Sequence, residues 1–142
     1  SAVEASLTGH TVVTTVHSGP AESAHGRISL LCQRRFQLGM EVSLSQSRQA
    51  FPVVVFAHKC EDNTRKVMDI SECAVSPEGK AEYRCLYRYN ITENEYKDGK
   101  FSIKGEFEKV NSPSSHLQTL LTRSGVPREV LNRFLGKECE VQ

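Results

Sequence analysis

The sequence has no apolar run long enough to span a bilayer, and no segment at its start resembles a secretion signal. It also lacks an excess of charge of one sign. Eighteen Lys and Arg stand against seventeen Asp and Glu, for a net charge of +1, which removes the basic stripe that non-specific nucleic-acid binding needs. No CxxC pair occurs among Cys32, Cys60, Cys73, Cys85 and Cys139, and the count is odd. That pattern points to free buried thiols in a reducing cytoplasm rather than a disulfide framework. His58 and Cys60 could offer two metal ligands, but no second pair stands at a zinc-like spacing. Internal repeats and low-complexity linkers are missing as well.

What is present fits one domain of 142 residues with 38% hydrophobic and 25% charged side chains. Residues 1–9 read as a helix stopped at Gly9. The β-branched run His10–Val16 reads as a strand, covered on both faces because its apolar residues do not alternate. Ser18 or Gly19 then caps a helix opened by Pro20 and running to Phe36, with Ala24, Ile28, Leu31 and Cys32 on its buried face. A polar helix over Met40–Phe51 follows, with Val42 and Leu44 as its main apolar residues. After Pro52 the run VVVF reads as a central-type strand.

The turn EDNT, the run RKVMDISECAV, the turn SPEGK and the run AEYRCLYRYNI predict an antiparallel hairpin. Tyr83, Cys85, Tyr87 and Tyr89 should share one face of it. After KDGK, the run KFSIKGEF reads as a short strand with Phe101, Ile103 and Gly105 inward. Two short helices end the chain. Ser112-Pro113 should cap the first, with Leu117, Leu120 and Leu121 buried and Gly125 as its stop. Pro127 should start the second, burying Val130, Leu131, Phe134 and Leu135.

The opening stretch, T-G-H-x-V-x-T-x-V-H-S over Thr8–Ser18, resembles the histidine-box segment of the secretion traffic ATPases. These are the hexameric motors of type II and type IV secretion and of pilus assembly. The resemblance continues through Arg27-Ile28 and through FPVVVFAHKCEDNTRKVMDISE. It ends in KFSIKGEF and HLQTLLTRSGVPREVLNRF, which are similar to the tight-adherence pilus branch. It covers essentially the whole chain, and the histidine box is its most specific part.

The resemblance implies the C-terminal half of a RecA-like P-loop NTPase domain. That is an α/β fold with an incomplete parallel sheet and flanking helices, followed by an antiparallel hairpin and short helices. Residues 1–60 would hold the histidine-box strand, helices and core strand, 61–110 the antiparallel strands, and 111–142 the C-terminal helices. The motors' phosphate-binding loop, GxxxxGK[ST], should lie upstream, since Gly79-Lys80, Gly99-Lys100 and Gly136-Lys137 all lack its second glycine and its Ser or Thr. The chain by itself should therefore not hydrolyse ATP. ATP and Mg would belong to the parent protein, and neither is expected on this portion alone.

By the same resemblance, His17 would sense the terminal phosphate or its attacking water from just before a helix N-terminus, where negative charge is favoured. Thr14 and Thr15 would lie toward the nucleotide, and Arg27 would stabilise charge at a subunit boundary. The bare residues leave blander alternatives open: strand-forming threonines, a solvated helix arginine and a boundary histidine. His10 and His17 stand seven residues apart, so at about 3.3 Å per residue their rings cannot share one ligand along an extended strand. His10 would then serve as a strand-end hydrogen-bonding group or a subunit contact. Arg65 and Glu72 read as turn or cross-strand residues.

One departure stands out, Gly19 where family members commonly carry Asn. The implied partners are further copies in a ring and inner-membrane secretion or pilus platform proteins, at the cytoplasmic membrane face, with no specific nucleic acid. The alternative is a stand-alone α+β interaction module without nucleotide binding. On the family reading, a chain without the neighbours of His10–Val16 would expose an unpaired, sticky strand edge.

Overall fold

The computed structural model describes residues 1–136. Five helices and four strands follow one another as α1 (Ala2–Leu7), α2 (Ala21–Phe36), α3 (Met40–Ala50), β1 (Val53–Lys59), β2 (Arg65–Val75), β3 (Ala81–Lys97), β4 (Lys100–Lys109), α4 (Ser115–Arg123) and α5 (Arg128–Leu135). The helices precede and follow one antiparallel meander in the order β1-β2-β3-β4. The chain is thus a mixed helix-and-sheet protein in which every strand pairing among the described residues is antiparallel.

Two expectations change here. His10–Val16 belongs to no strand, although its β-branched residues favour extended backbone. A strand exists only with a partner ladder, and no described segment lies alongside this one to supply it. The parallel part of the expected sheet is accordingly missing from residues 1–136. VVVF does form a strand, but β1 sits at the sheet's edge rather than its centre.

Local signals explain most of the helices. Ser1 accepts from the Glu4 amide while the Glu4 carboxylate returns to the N-terminal amine, a capping box that fixes α1. Pro20 precedes α2 and Pro127 precedes α5, each with φ preset for a helix start. The cap of α4 falls on Ser114, whose hydroxyl accepts from Leu117, rather than on Ser112.

The buried side of α2 is Ala21, Ala24, His25 and Ser29. Leu31, expected inside, is 47% exposed. In α3 the buried residues are Ser43, Ser47 and Ala50, while Val42 faces outward. Small and hydroxylated residues let the two helices approach closely, with the Ser47 hydroxyl donating to the His25 carbonyl at 3.3 Å.

The sheet coils because all three ladders are interrupted, between Phe56 and Ala57, between Ile70 and Ser71, and between Ile91 and Glu93. Such bulges increase twist and reverse the alternation of side chains. Leu86 lies at the second one, which explains why it is 1% exposed although the Tyr83–Tyr89 alternation would have put it outside. The coil brings the β1–β2 turn against β4. Asp62 accepts from the Thr64 amide and hydroxyl with one oxygen and from the Ile103 amide, at 3.3 Å, with the other. Ile103 is buried as expected, but Phe101 is 46% exposed further along the hairpin.

Gly105 makes the third bulge possible. A Cβ there would stand 2.2 Å from the Asn90 carbonyl oxygen and 2.8 Å from two Tyr89 ring carbons. Gly105→Ala is expected to lower stability by about 1–3 kcal/mol, seen as a reduced urea midpoint. Gly39→Ala, where a Cβ meets nothing within 4 Å, should shift stability by less than about 0.5 kcal/mol.

Candidate functional site

Residues 11–19 link α1 to α2 without entering a single backbone hydrogen bond among the described residues. Gly9, at φ 93°, turns the chain out of α1. His10 stays with that helix end. Its amide donates to the Ala5 carbonyl at 3.0 Å, and its Nδ1 lies 3.2 Å from the same oxygen and 3.3 Å from the Thr8 hydroxyl. His10 is thus a helix-terminal residue.

His17 is exposed, with no hydrogen bond to the rest of the described chain, and comes just before the Pro20 start of α2. Arg27 is exposed on α2. Thr14, Thr15 and Val16 line a cavity of about 190 Å³ together with Ile28, Leu31, Cys32 and Arg35 of α2, Ser1, Ala2 and Val3 at the start of α1, and Phe51. The structure therefore brings Thr14 and Thr15 to one wall, and His10, His17 and Arg27 lie outside that lining. The cavity is mainly aliphatic.

The glycines of the three glycine-lysine pairs take ordinary structural positions. Gly79 (φ 81°) and Gly99 (φ 74°) turn the β2–β3 and β3–β4 hairpins, and Gly136 (φ 68°) ends α5. No group of three or more His, Cys, Asp or Glu that could hold a metal occurs among the described residues. These residues do not by themselves fit ATP with magnesium, because neither a phosphate-cradling loop nor a carboxylate for the ion is present.

The best-built polar cluster lies elsewhere, around His25, which carries no sequence motif. Its ring is fully buried. Nε2 lies 2.9 Å from the Phe51 carbonyl, which only accepts, so Nε2 carries the proton. Nδ1 is then the acceptor for the Tyr83 hydroxyl at 3.0 Å. Arg48 Nε donates to that hydroxyl at 3.4 Å, and the Cys73 thiol reaches it too.

Five pieces of the chain thus meet at one imidazole and one phenol: α2, α3, the entry to β1, β2 and β3. Burial pushes the His25 pKa below its ordinary value, opposed by the bond to Phe51 and aided by the Arg48 charge. Burial also raises the Cys73 and Tyr83 pKa values, which keeps both protonated and unreactive.

Glu72, adjacent to Cys73, is 2% exposed and accepts from the Ser114 amide at 2.8 Å, seating the N-terminus of α4 on β2. Arg65 pairs across the ladder with Lys59 at the exposed start of β2. Cys32, Cys60, Cys73 and Cys85 are free thiols, and Cys139 lies outside the described residues. No helix among them is long and apolar enough to cross a membrane. Neither a family model nor a curated protein matches the sequence.

A signal for His25 did exist. It lies one position from Ala24 and four from Ser29, on the small-residue face of α2, but apolar periodicity ranks histidine as a surface residue.

Two outcomes are expected. Because the folded state holds His25 neutral and the unfolded state protonates near the ordinary value of 6.5, stability should be full above that pH and decline as pH falls below it. His25→Ala should cost about 2–4 kcal/mol, and Tyr83→Phe about 1–3 kcal/mol through the unpaired imidazole nitrogen. Urea denaturation between pH 5 and pH 8 reads both, and the acid-side decline should flatten in His25→Ala.

Proposed function

We propose that this chain is the C-terminal portion of a secretion or pilus ATPase, contributing the histidine box and subunit contacts to a RecA-like domain whose phosphate-binding loop lies upstream. The observation that carries the reading is the state of residues 11–19. A β-branched run with every backbone group unpaired leads into an exposed, unbonded His17 directly ahead of a long helix. In the parent, Thr11–Val16 would be a strand of the parallel sheet, completed by upstream strands. His17 would stand beyond its carboxyl end, where ligands of open α/β sheets bind.

The surface of the first half supports the same reading. Only seven charged residues precede His58, and Leu30, Leu31, Met40 and Val42 are each more than 40% exposed on α2 and α3. Helices apolar on more than one side belong inside a larger assembly. The parent would bind ATP and Mg, assemble as a ring, and meet secretion or pilus platform proteins at the cytoplasmic face of the inner membrane. Arg27, exposed on α2, would face the neighbouring subunit.

A second reading, a self-sufficient interaction module, draws on the His25 network and the coiled meander, both closed by contacts within the chain. The two readings diverge in calorimetry. On the motor reading, this chain alone shows negligible ATP binding, and the same polypeptide extended upstream binds ATP. His17→Ala in the extended protein should retain binding and lose hydrolysis by at least about a hundredfold. An upstream reading frame without a phosphate-binding loop, or undiminished hydrolysis after His17→Ala, would leave the module as the answer.

A further inference from the structure

Among the described residues, two uncharged stretches have main-chain groups without partners, residues 11–16 and the 53–56 part of the outer edge of β1. The first is TVVTTV, where Val13 is 92% exposed. At the second, the Cys73 amide donates to the Pro52 carbonyl at 2.8 Å, and Val53 stands opposite Glu72. In an antiparallel ladder that arrangement makes Val53–Glu72 a non-hydrogen-bonded pair, and Val54 turns its N–H and C=O toward Ser71. Val53 and Val55 therefore direct theirs away from β2, along an edge that no described strand covers.

Protein edges of this kind are normally blunted by a charge, a proline, a bulge or a covering element. Before its bulge at Phe56/Ala57, β1 offers Val-Val-Val-Phe with no charge, and the Val53 and Val55 side chains are 41% and 56% exposed. A charged strand laid there would lose hydration against valine methyls with nothing to pair its charges. The fitting occupant is an extended, uncharged, β-branched segment with free backbone groups.

We infer that residues 11–16 of a second copy of this chain dock on the open edge of β1 by strand addition. Each copy carries one such segment and one such edge. Reciprocal exchange therefore satisfies both and closes as a twofold dimer instead of propagating. Within its own copy the segment pairs with no strand, and Thr14, Thr15 and Val16 line a cavity together with Ile28, Leu31 and Cys32. The inference concerns the 142-residue chain by itself. In the full-length parent of the motor reading, upstream strands would take the same backbone groups. Dimerisation of this chain and ATP binding by the extended protein are therefore separate readouts, and either proposal can fail without the other.

Light scattering on the 142-residue chain across a concentration series should show a mass that doubles as concentration rises. Val55→Pro deletes an edge-facing N–H while sparing the ladder to β2, a position where proline is tolerated. Val13→Lys places a charge on a residue almost free of contacts, so it leaves the monomer folded. Each should weaken dimerisation by at least about tenfold, with the urea midpoint measured on dilute monomer unchanged for Val13→Lys. Amide exchange at Val13 and Val55 should slow as the dimer forms. A chain that stays monomeric at every concentration overturns the inference. So does a dimer that survives both substitutions, which would place the contact on another surface such as the exposed leucines of α2.

Discussion

One buried imidazole holds the helical layer to the sheet. His25 has two ring nitrogens and two fixed partners, a carbonyl at the mouth of β1 and a phenol on β3, and the partners dictate which nitrogen carries the proton. Because Arg48 and Cys73 converge on the same phenol, α2 cannot rotate or slide without leaving the buried His25 ring short of a hydrogen-bond partner. The small residues that line α2 and α3 follow from this arrangement. Ser29, Ser43 and Ser47 are nearly inaccessible to solvent, and they leave room for a polar contact where bulkier apolar residues would hold the layers apart.

The sheet obeys a different constraint, which is curvature. Three interrupted ladders and a glycine under the Tyr89 ring coil the meander until Asp62 on the first turn reaches the amide of Ile103 on the last strand. Glu72 extends the same principle to the C-terminal helices, where a buried carboxylate is tolerated because it terminates α4. Its acidic side chain does structural work that its position in a strand would not announce. On the far side, α5 is held by the Lys109 ammonium on the Phe134 carbonyl and by the Tyr87–Phe134 ring contact, and none of its residues is buried.

Against this well-bonded body, residues 11–19 are conspicuous for making no backbone bond among the described residues. This segment carries the residues on which the motor reading rests, His17 above all, and it lines a cavity with Ile28 and Leu31 of α2 in the sparsely charged first half of the chain. Both proposals draw on that contrast. A run built to be a strand has no ladder, and an edge built to be covered has no cover.

Much of the fold was legible beforehand. Prolines marked the starts of α2, α4 and α5, Gly125 marked the stop of α4, and turn chemistry at SPEGK and KDGK delimited the β2–β3–β4 meander, because these signals act over a few residues. The same local rules placed His17 ahead of a helix. What they could not supply was pairing and depth. Whether Thr11–Val16 becomes a strand depends on a neighbour, whether β1 is central or at an edge depends on what else joins the sheet, and whether Leu86 points inward depends on the bulge it forms in the β2–β3 ladder. The sequence by itself determined the helices, the four strands of the meander and their order. Only the tertiary structure decided that a histidine without a motif would sit at the centre, since desolvation and two-sided hydrogen bonding arise from residues far apart in the chain.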